Sequence, residues 1–200
     1  MKRKIYLLRH GETEYGRVKR YLGHTDCKLS EKGTNDAKQL ACIFKASEII
    51  INKIFSSDLI RCRDTVNIAF SDREVTFLED LREINMGYLD GLTFKEVKIK
   101  YPEVYKRRGL NIADFIPLNG ESLRECQKRA IKTFNNIIEN TKGNVVICSH
   151  AGFIRSLLCI YLKLELKDIF SIKQDYGCIN TLICEGSNIY IESINLKTLY

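Results

Sequence analysis

The chain lacks the features that would assign it to several broad classes. No apolar run approaches a membrane span, and the first one, Ile5-Tyr6-Leu7-Leu8, is too short for the apolar part of a secretory signal. The expectation is a cytoplasmic protein with no membrane partner. Internal repeats, low-complexity tracts and linker-like stretches are missing, so one domain over residues 1–200 is expected. Proline is scarce: Pro102 and Pro117 are the only two, and both fall in one segment. Metal-type spacing is missing too. The eight cysteines (27, 42, 62, 126, 148, 159, 178 and 184) include no Cys-x-x-Cys pair and no clustering with histidine. They read as reduced packing residues, with no metal or other cofactor implied.

What is present is an ordinary globular composition, 44% hydrophobic and 28% charged over 200 residues, with a formal charge of +7. Residues 1–20 hold seven Lys or Arg against two Glu. Such charge could serve nucleic acid or a membrane surface. Because it surrounds a histidine, the simpler expectation is attraction of a small phosphorylated anion, with no nucleic acid involved. Monomer and homodimer both stay open.

Strand and helix patterns alternate along most of the chain. Ile5–Leu8 reads as a buried strand carrying Arg9 and His10 at its carboxyl end, where Gly11 lets the backbone turn. In open α/β sheets ligands bind beyond those strand ends. Residues 15–25, polar and rich in Arg, Lys and Gly, read as a mobile flap. Ser30 caps a helix with Ala37, Leu40, Ala41 and Phe44 on one face, and Ser57 or Asp58 is expected to cap the helix carrying Arg61. Between Gly87 and Gly120 the alternation breaks. Thr93-x-x-Glu96 signals a short helix that Tyr101-Pro102 interrupts, and the segment reads as a small helical lid. Ser122-x-x-Glu125 opens a long helix, Asn144–Cys148 is a strand ending at His150, and residues 178–194 form a closing hairpin. The expected fold is a three-layer α/β/α sandwich with a mostly parallel sheet.

Arg9-His10-Gly11 alone is too short to specify a function, and Arg61 could be a plain surface arginine. The weight lies in the set. Two histidines, two arginines and the carboxylate Glu83 all stand at element ends. Arg9 and Arg61 can hold phosphate oxygens through paired hydrogen bonds, and His150, if protonated, would add a third donor. A neutral His10 could attack phosphorus, and Glu83 could exchange the proton with the leaving group and then water.

Arg9-His10-Gly11-Glu12-Thr13, Gly23-His24-Thr25-Asp26, Leu29-Ser30-Glu31-Lys32-Gly33, Asn119-Gly120-Glu121-Ser122 and Ser149-His150-Ala151-Gly152 together resemble the histidine phosphatase superfamily, in its phosphoglycerate-mutase-like branch. With Gln174-Asp175-Tyr176-Gly177-Cys178-Ile179-Asn180, the chain most resembles the α-ribazole phosphatases. The resemblance implies a phosphomonoesterase that needs no metal. His10 would be the phosphorylated residue, Arg9, Arg61 and His150 the phosphoryl holders, and Glu83 the acid. Gly11, Thr13, Gly16, Gly23, His24 and Gly152 would belong to substrate binding. Sugar-phosphate hydrolysis is the nearest alternative, and mutase activity is disfavoured by the short segment after Glu83. One departure stands out: the family's asparagine three residues after Thr13 is Gly16 here. A side-chain donor is thereby lost unless a backbone N–H replaces it.

Overall fold

Strand β1 (Lys2–Arg9) occupies an interior place in a six-stranded sheet that orders every other element. The computed structural model describes residues 2–16 and 18–199; Arg17, part of the basic flap, lies outside them. The sheet runs β3-β2-β4-β1-β5-β6, with β2 (Ile51–Ser57), β3 (Thr76–Leu78), β4 (Asn144–Ser149), β5 (Ile179–Glu185) and β6 (Asn188–Leu196). β1 is parallel to β4, which is parallel to β2, which is parallel to β3. β5 runs against both β1 and β6, so it alone breaks the common direction. The sheet is mostly parallel and carries helices on both faces, as expected.

Alternation along the interior strands explains the two helical layers. Ile5, Leu7, Val145, Ile147 and Leu182 join the core under α5 (Leu123–Glu139) and α6 (Ala151–Leu162). Tyr6, Leu8, Ile54, Val146, Cys148 and Ile179 join the core under α1 (Glu31–Ala46) and α2 (Ile60–Ala69). A strand buried on both faces needs apolar side chains at consecutive positions, hence the unbroken run from Ile5 to Leu8. β1 starts earlier than that run because its ladder with β5 continues to Lys2, opposite Glu185. All eight cysteines are unpaired, and all but Cys42 are buried.

The capping signals locate most helices. Ser30 accepts from Gly33 N, and Thr93 and Ser122 each form a complete capping box with the glutamate three residues on. The lid is α3 (Phe94–Lys100) followed by α4 (Pro102–Leu110), with Pro102 in the first turn of α4. One expected cap is corrected. The residue at the α2 cap position is Leu59, without a side-chain bond. Asp58 instead pairs with Arg82, and Asp26 Oδ1 accepts from Ile60 N at 2.7 Å. The turn is thus closed from a distant loop, which local spacing could not reveal.

The basic start is also reassigned. Lys2, Arg3 and Lys4 begin β1, the end of the strand opposite His10. Arg3 donates to the carbonyls of Ile138, in the last turn of α5, and of Thr141 just past it, and Lys4 pairs with Glu192 at 2.8 Å. Their charge therefore belongs to structure at the far rim, because a strand carries its two ends apart by about 3.3 Å per residue. Among the described residues no helix is long and apolar enough to cross a membrane.

Candidate active site

Parallel register brings the two histidine-bearing strand ends together. Arg9 lies opposite Ser149, so His10 and His150 leave the sheet side by side, with ring centroids 5.1 Å apart. β2 ends at the same level, where Ser56 pairs with Cys148 and Ser57 follows.

His10 is 4% exposed. Its Nδ1 lies 2.8 Å from the Gly11 carbonyl, and since a carbonyl only accepts, Nδ1 carries the proton and Nε2 the free lone pair. Burial, followed by the charges of Arg61 and Arg9, holds its pKa well below the usual imidazole range. A neutral ring with an unprotonated Nε2 is the state a nitrogen nucleophile requires.

Arg61 is almost wholly buried. Its Nη2 donates to Gly23 O at 2.6 Å, Nη1 to Thr25 O at 2.9 Å, and Nε to His150 Nδ1 at 3.1 Å. Each terminal nitrogen retains another N–H. His150 accepts at Nδ1, so its proton sits on Nε2, 2.9 Å from Ser57 Oγ. Burial and then Arg61 push its pKa well below the ordinary value. A cationic His150 would be buried against Arg61, so the protonated form would need a phosphate beside it. It remains a neutral Nε2–H donor.

Arg9 stacks on Tyr176, with its guanidinium carbon 3.7 Å from the ring centroid, and donates from Nη1 to Gln174 O at 2.6 Å. Among the described residues its Nε is buried without a hydrogen-bond partner, as is the Thr13 hydroxyl. An unpaired buried polar atom costs roughly 1–3 kcal/mol. Arg9, the last residue of β1, thus keeps a donor to which an anionic oxygen could bind.

Glu83 Oε1 accepts from Ile84 N at 3.0 Å and Phe153 N at 2.9 Å, while Oε2, among the described residues, accepts only from Gly152 N at 3.0 Å. The carboxylate is therefore seated on the first turn of α6, just past His150. Gly152 makes this possible, since a Cβ there would lie 2.5 Å from Glu83 Oε1. Its role is to admit and hydrogen-bond Glu83.

The other expected binding residues separate. Gly11 presses on the backbone of Gly33 and donates its N–H to Thr65 Oγ1 at 3.0 Å. The ring of His24 bonds through Nε2 to the Glu83 carbonyl at 2.9 Å and faces a small cleft with Arg82, Glu121 and Arg129, so it props the backbone of Glu83. Gly23 packs against Ile84 O, where a Cβ would stand 2.5 Å away. The Gly16 N–H is spent on Thr13 O at 2.8 Å, and a Cβ there would strike the Glu12 side chain. That amide therefore does not replace the missing asparagine donor.

Sequence reasoning missed three residues. Asp90 gathers the amides of Gly23, His24 and Thr25, so the later part of the expected mobile flap is tied down. Arg129 pairs with Glu121 and donates to the carbonyls of Asp80, Arg82 and Glu83 at 2.8, 2.9 and 3.3 Å. Arg155 donates to Ile172 O at 2.7 Å and faces the cavity described next. Only the last had a signal: it lies one helical turn beyond Ala151.

Beside Glu83, Ala151 and Gly152 opens a cavity of about 430 Å³. Tyr21, Leu22, Ile84, Met86 and Phe170 supply apolar wall, and the lid adds Phe94 and Tyr105. Arg20, Arg108 and Arg155 also face it, and none of them forms a salt bridge among the described residues. No group of three or more His, Cys, Asp or Glu among the described residues is placed to hold a metal ion.

A neutral histidine whose protonation two arginines oppose, together with a carboxylate that lines a cavity, is an arrangement able to bind and transfer a phosphoryl group. Residues 5–197 match the model of the histidine phosphatase superfamily (branch 1), and the chain belongs to that superfamily. It is 34% identical over 181 residues to phosphoserine phosphatase 1 of Hydrogenobacter thermophilus, covering 88% of this chain and 82% of that one. It is 26% identical over 187 residues to the adenosylcobalamin/alpha-ribazole phosphatase of Salmonella typhimurium, covering 92% of both. The structure of the alpha-ribazole phosphatase from Shigella flexneri superposes with a TM-score of 0.90 at 22% identity, covering 98% of each chain, a likeness of fold. The protein is a phosphatase of this superfamily.

Proposed function

We propose that the phosphatase works through a phosphohistidine on His10, and that its favoured substrate is α-ribazole 5′-phosphate. The observation that carries the mechanism is the His10 ring, neutral and with its Nδ1 proton committed to the Gly11 carbonyl. Arg9 and Arg61 neutralise the phosphoryl oxygens, and His150 adds a donor by turning its Nε2–H from Ser57 Oγ to a phosphoryl oxygen. His10 Nε2 forms a bond to phosphorus as the ester P–O bond breaks, and Glu83 gives its proton to the departing oxygen. Water then attacks phosphorus, the P–N bond breaks, and Glu83 takes the water's proton. Oε2, with the single N–H contact, is the oxygen assigned to this exchange. The arginines supply the positive charge, so no metal is required for it.

For the substrate, the size and aromatic walling of the cavity fit a nucleoside-like leaving group better than a bare glycerate. Near full-length similarity to an adenosylcobalamin/alpha-ribazole phosphatase supports the same choice. The three arginines of the cavity, without a salt bridge among the described residues, favour a second reading, a phosphomonoester with an additional anionic group such as phosphoserine or phosphoglycerate. Sugar phosphates follow, and mutase activity ranks last. The enzyme would act in the cytoplasm as a single-domain monomer or homodimer. Purified protein assayed against α-ribazole 5′-phosphate, phosphoserine, 3-phosphoglycerate and hexose phosphates, with and without EDTA, tests all of this. Highest kcat/KM on α-ribazole 5′-phosphate, unchanged by EDTA, is expected. A preference for phosphoserine would move the assignment to the second reading, and loss on chelation restored by magnesium would overturn the mechanism.

A further inference from the structure

A three-residue strip, Gly23-His24-Thr25, joins parts of the site that are far apart in sequence. Its carbonyls face Arg61: Gly23 O accepts from Nη2 at 2.6 Å and Thr25 O from Nη1 at 2.9 Å. Its amides face the other way, onto one carboxylate. Gly23 N donates to Asp90 Oδ1 at 2.9 Å, and His24 N and Thr25 N donate to Oδ2 at 2.6 and 3.0 Å. Bonds from neutral donors to an ionised acceptor are among the stronger protein hydrogen bonds. Asp90 has no salt bridge to a cation among the described residues, so the strip is its partner.

Asp90 is also the root of the lid. It follows the short 3-10 turn Gly87–Leu89 and precedes Gly91, whose φ of +81° suits a glycine turn into α3. The same stretch is laced to the segment before the strip. Tyr21 N donates to Leu92 O at 2.9 Å, Gly91 N to Tyr21 O at 2.7 Å, and Phe94 N to Lys19 O at 3.2 Å. The strip itself is packed tightly, since a Cβ on Gly23 would stand 2.9 Å from Met86 N and 3.1 Å from Asp90 Oδ2.

We propose that Asp90 is a positioning residue for the phosphoryl clamp: through the amides of Gly23, His24 and Thr25 it fixes the two carbonyls that aim the Arg61 guanidinium, and so ties the clamp to the root of the lid. The inference rests on the phosphohistidine reading. Asp90 does not line the cavity, and on this proposal it acts through Arg61. Asp90→Asn is nearly the same shape but loses one acceptor oxygen, setting an NH₂ against a strip amide.

The test is a double-mutant cycle read by competitive inhibition with inorganic phosphate, the ligand common to every substrate. Asp90→Asn should raise the phosphate inhibition constant by about tenfold or more in the otherwise unaltered protein, the loss of a hydrogen bond to a charged group. In an Arg61→Ala background the same change should raise it by less than about twofold, because the group being aimed is gone. Equal losses in both backgrounds would overturn the proposal, since a merely structural role is indifferent to Arg61. Hydrogen exchange of the unaltered protein gives a second reading that needs no variant to fold. The amides of Gly23, His24 and Thr25 should exchange slowly and together, and exchange at free-loop rates would overturn the proposal. A wild-type protein that neither binds phosphate nor forms phosphohistidine would instead undo the underlying mechanism.

Discussion

At the clamp His10, Arg61 and His150 are buried, whereas in the lid α4 buries no residue and α3 buries only Val97. The lid leaves Leu110 80% and Ile99 67% exposed, and its Tyr105 is still 39% exposed where it reaches the cavity. The difference follows from what each region must recognise. A phosphoryl group is small and invariant, so its partners can be set by strand ends and backbone hydrogen bonds before it arrives. The rest of the ester varies between substrates and has to enter, so its walls are thinly packed. Low burial of this kind also predicts low local stability. On the proposed mechanism the clamp would decide whether chemistry occurs, and the lid on what.

The largest expected effect comes from the centre of the clamp. His10→Ala should reduce phosphatase activity to background on every substrate while leaving the circular dichroism spectrum unchanged. Acid-labile labelling by phosphorylated substrate should appear on wild type only, and an active His10→Ala protein would break the mechanism.

Glu83→Gln comes next and divides the clamp from the leaving-group side. It should lower turnover of an alkyl phosphate by about 10²–10⁴-fold, because the ribose oxygen leaves poorly without a proton. p-Nitrophenyl phosphate should lose much less in its first step. Dephosphorylation is still slowed, so a burst of nitrophenol should precede a slow steady state. Equal losses on both substrates without a burst would remove Glu83 from the role of acid. Glu121 is a poor replacement, being paired with Arg129 and bonded to Asn85 N at 3.0 Å.

A third effect tests the cost of burying the clamp. Both His10 and His150 have pKa values lowered far below the ordinary imidazole value by burial and by the arginines. The unfolded chain therefore takes up protons first as pH falls through about 6.5, and stability falls with it until the folded-state values are reached. Above that range these histidines add no pH dependence. With two such groups the slope reaches up to about 2.7 kcal/mol per pH unit. Denaturant melts at pH about 7.5 and about 5.5 should show the drop, and His150→Asn should show a shallower one. A flat profile in wild type would mean that the rings are charged in the folded state.

The smallest effect belongs to the lid. Tyr105→Ala should raise KM for the natural ester by no more than about tenfold, the range of one aromatic contact, and leave inhibition by inorganic phosphate unchanged. A change in phosphate affinity would show that lid and clamp are less separate than their burial indicates.

Much of this architecture was legible in the residues. The unbroken run Ile5–Leu8, the caps at Ser30, Thr93 and Ser122, and the break at Tyr101-Pro102 are local signals, because strand burial, helix starts and proline sterics act within a few positions. They located the sheet, the lid and the strand ends bearing His10 and His150. The sequence alone also carried the family pattern, since the chemistry needs those residue types. What only the tertiary structure decided involves partners brought from far along the chain. Asp26 closes the start of α2, Asp90 secures the strip that holds Arg61, Arg129 braces the Glu83 loop, and Arg3 is drawn to the far rim. Charge and protonation belong to the same class. His150 is neutral because its surroundings are dry and cationic, and no spacing in the sequence records a dielectric or an arginine 89 positions away.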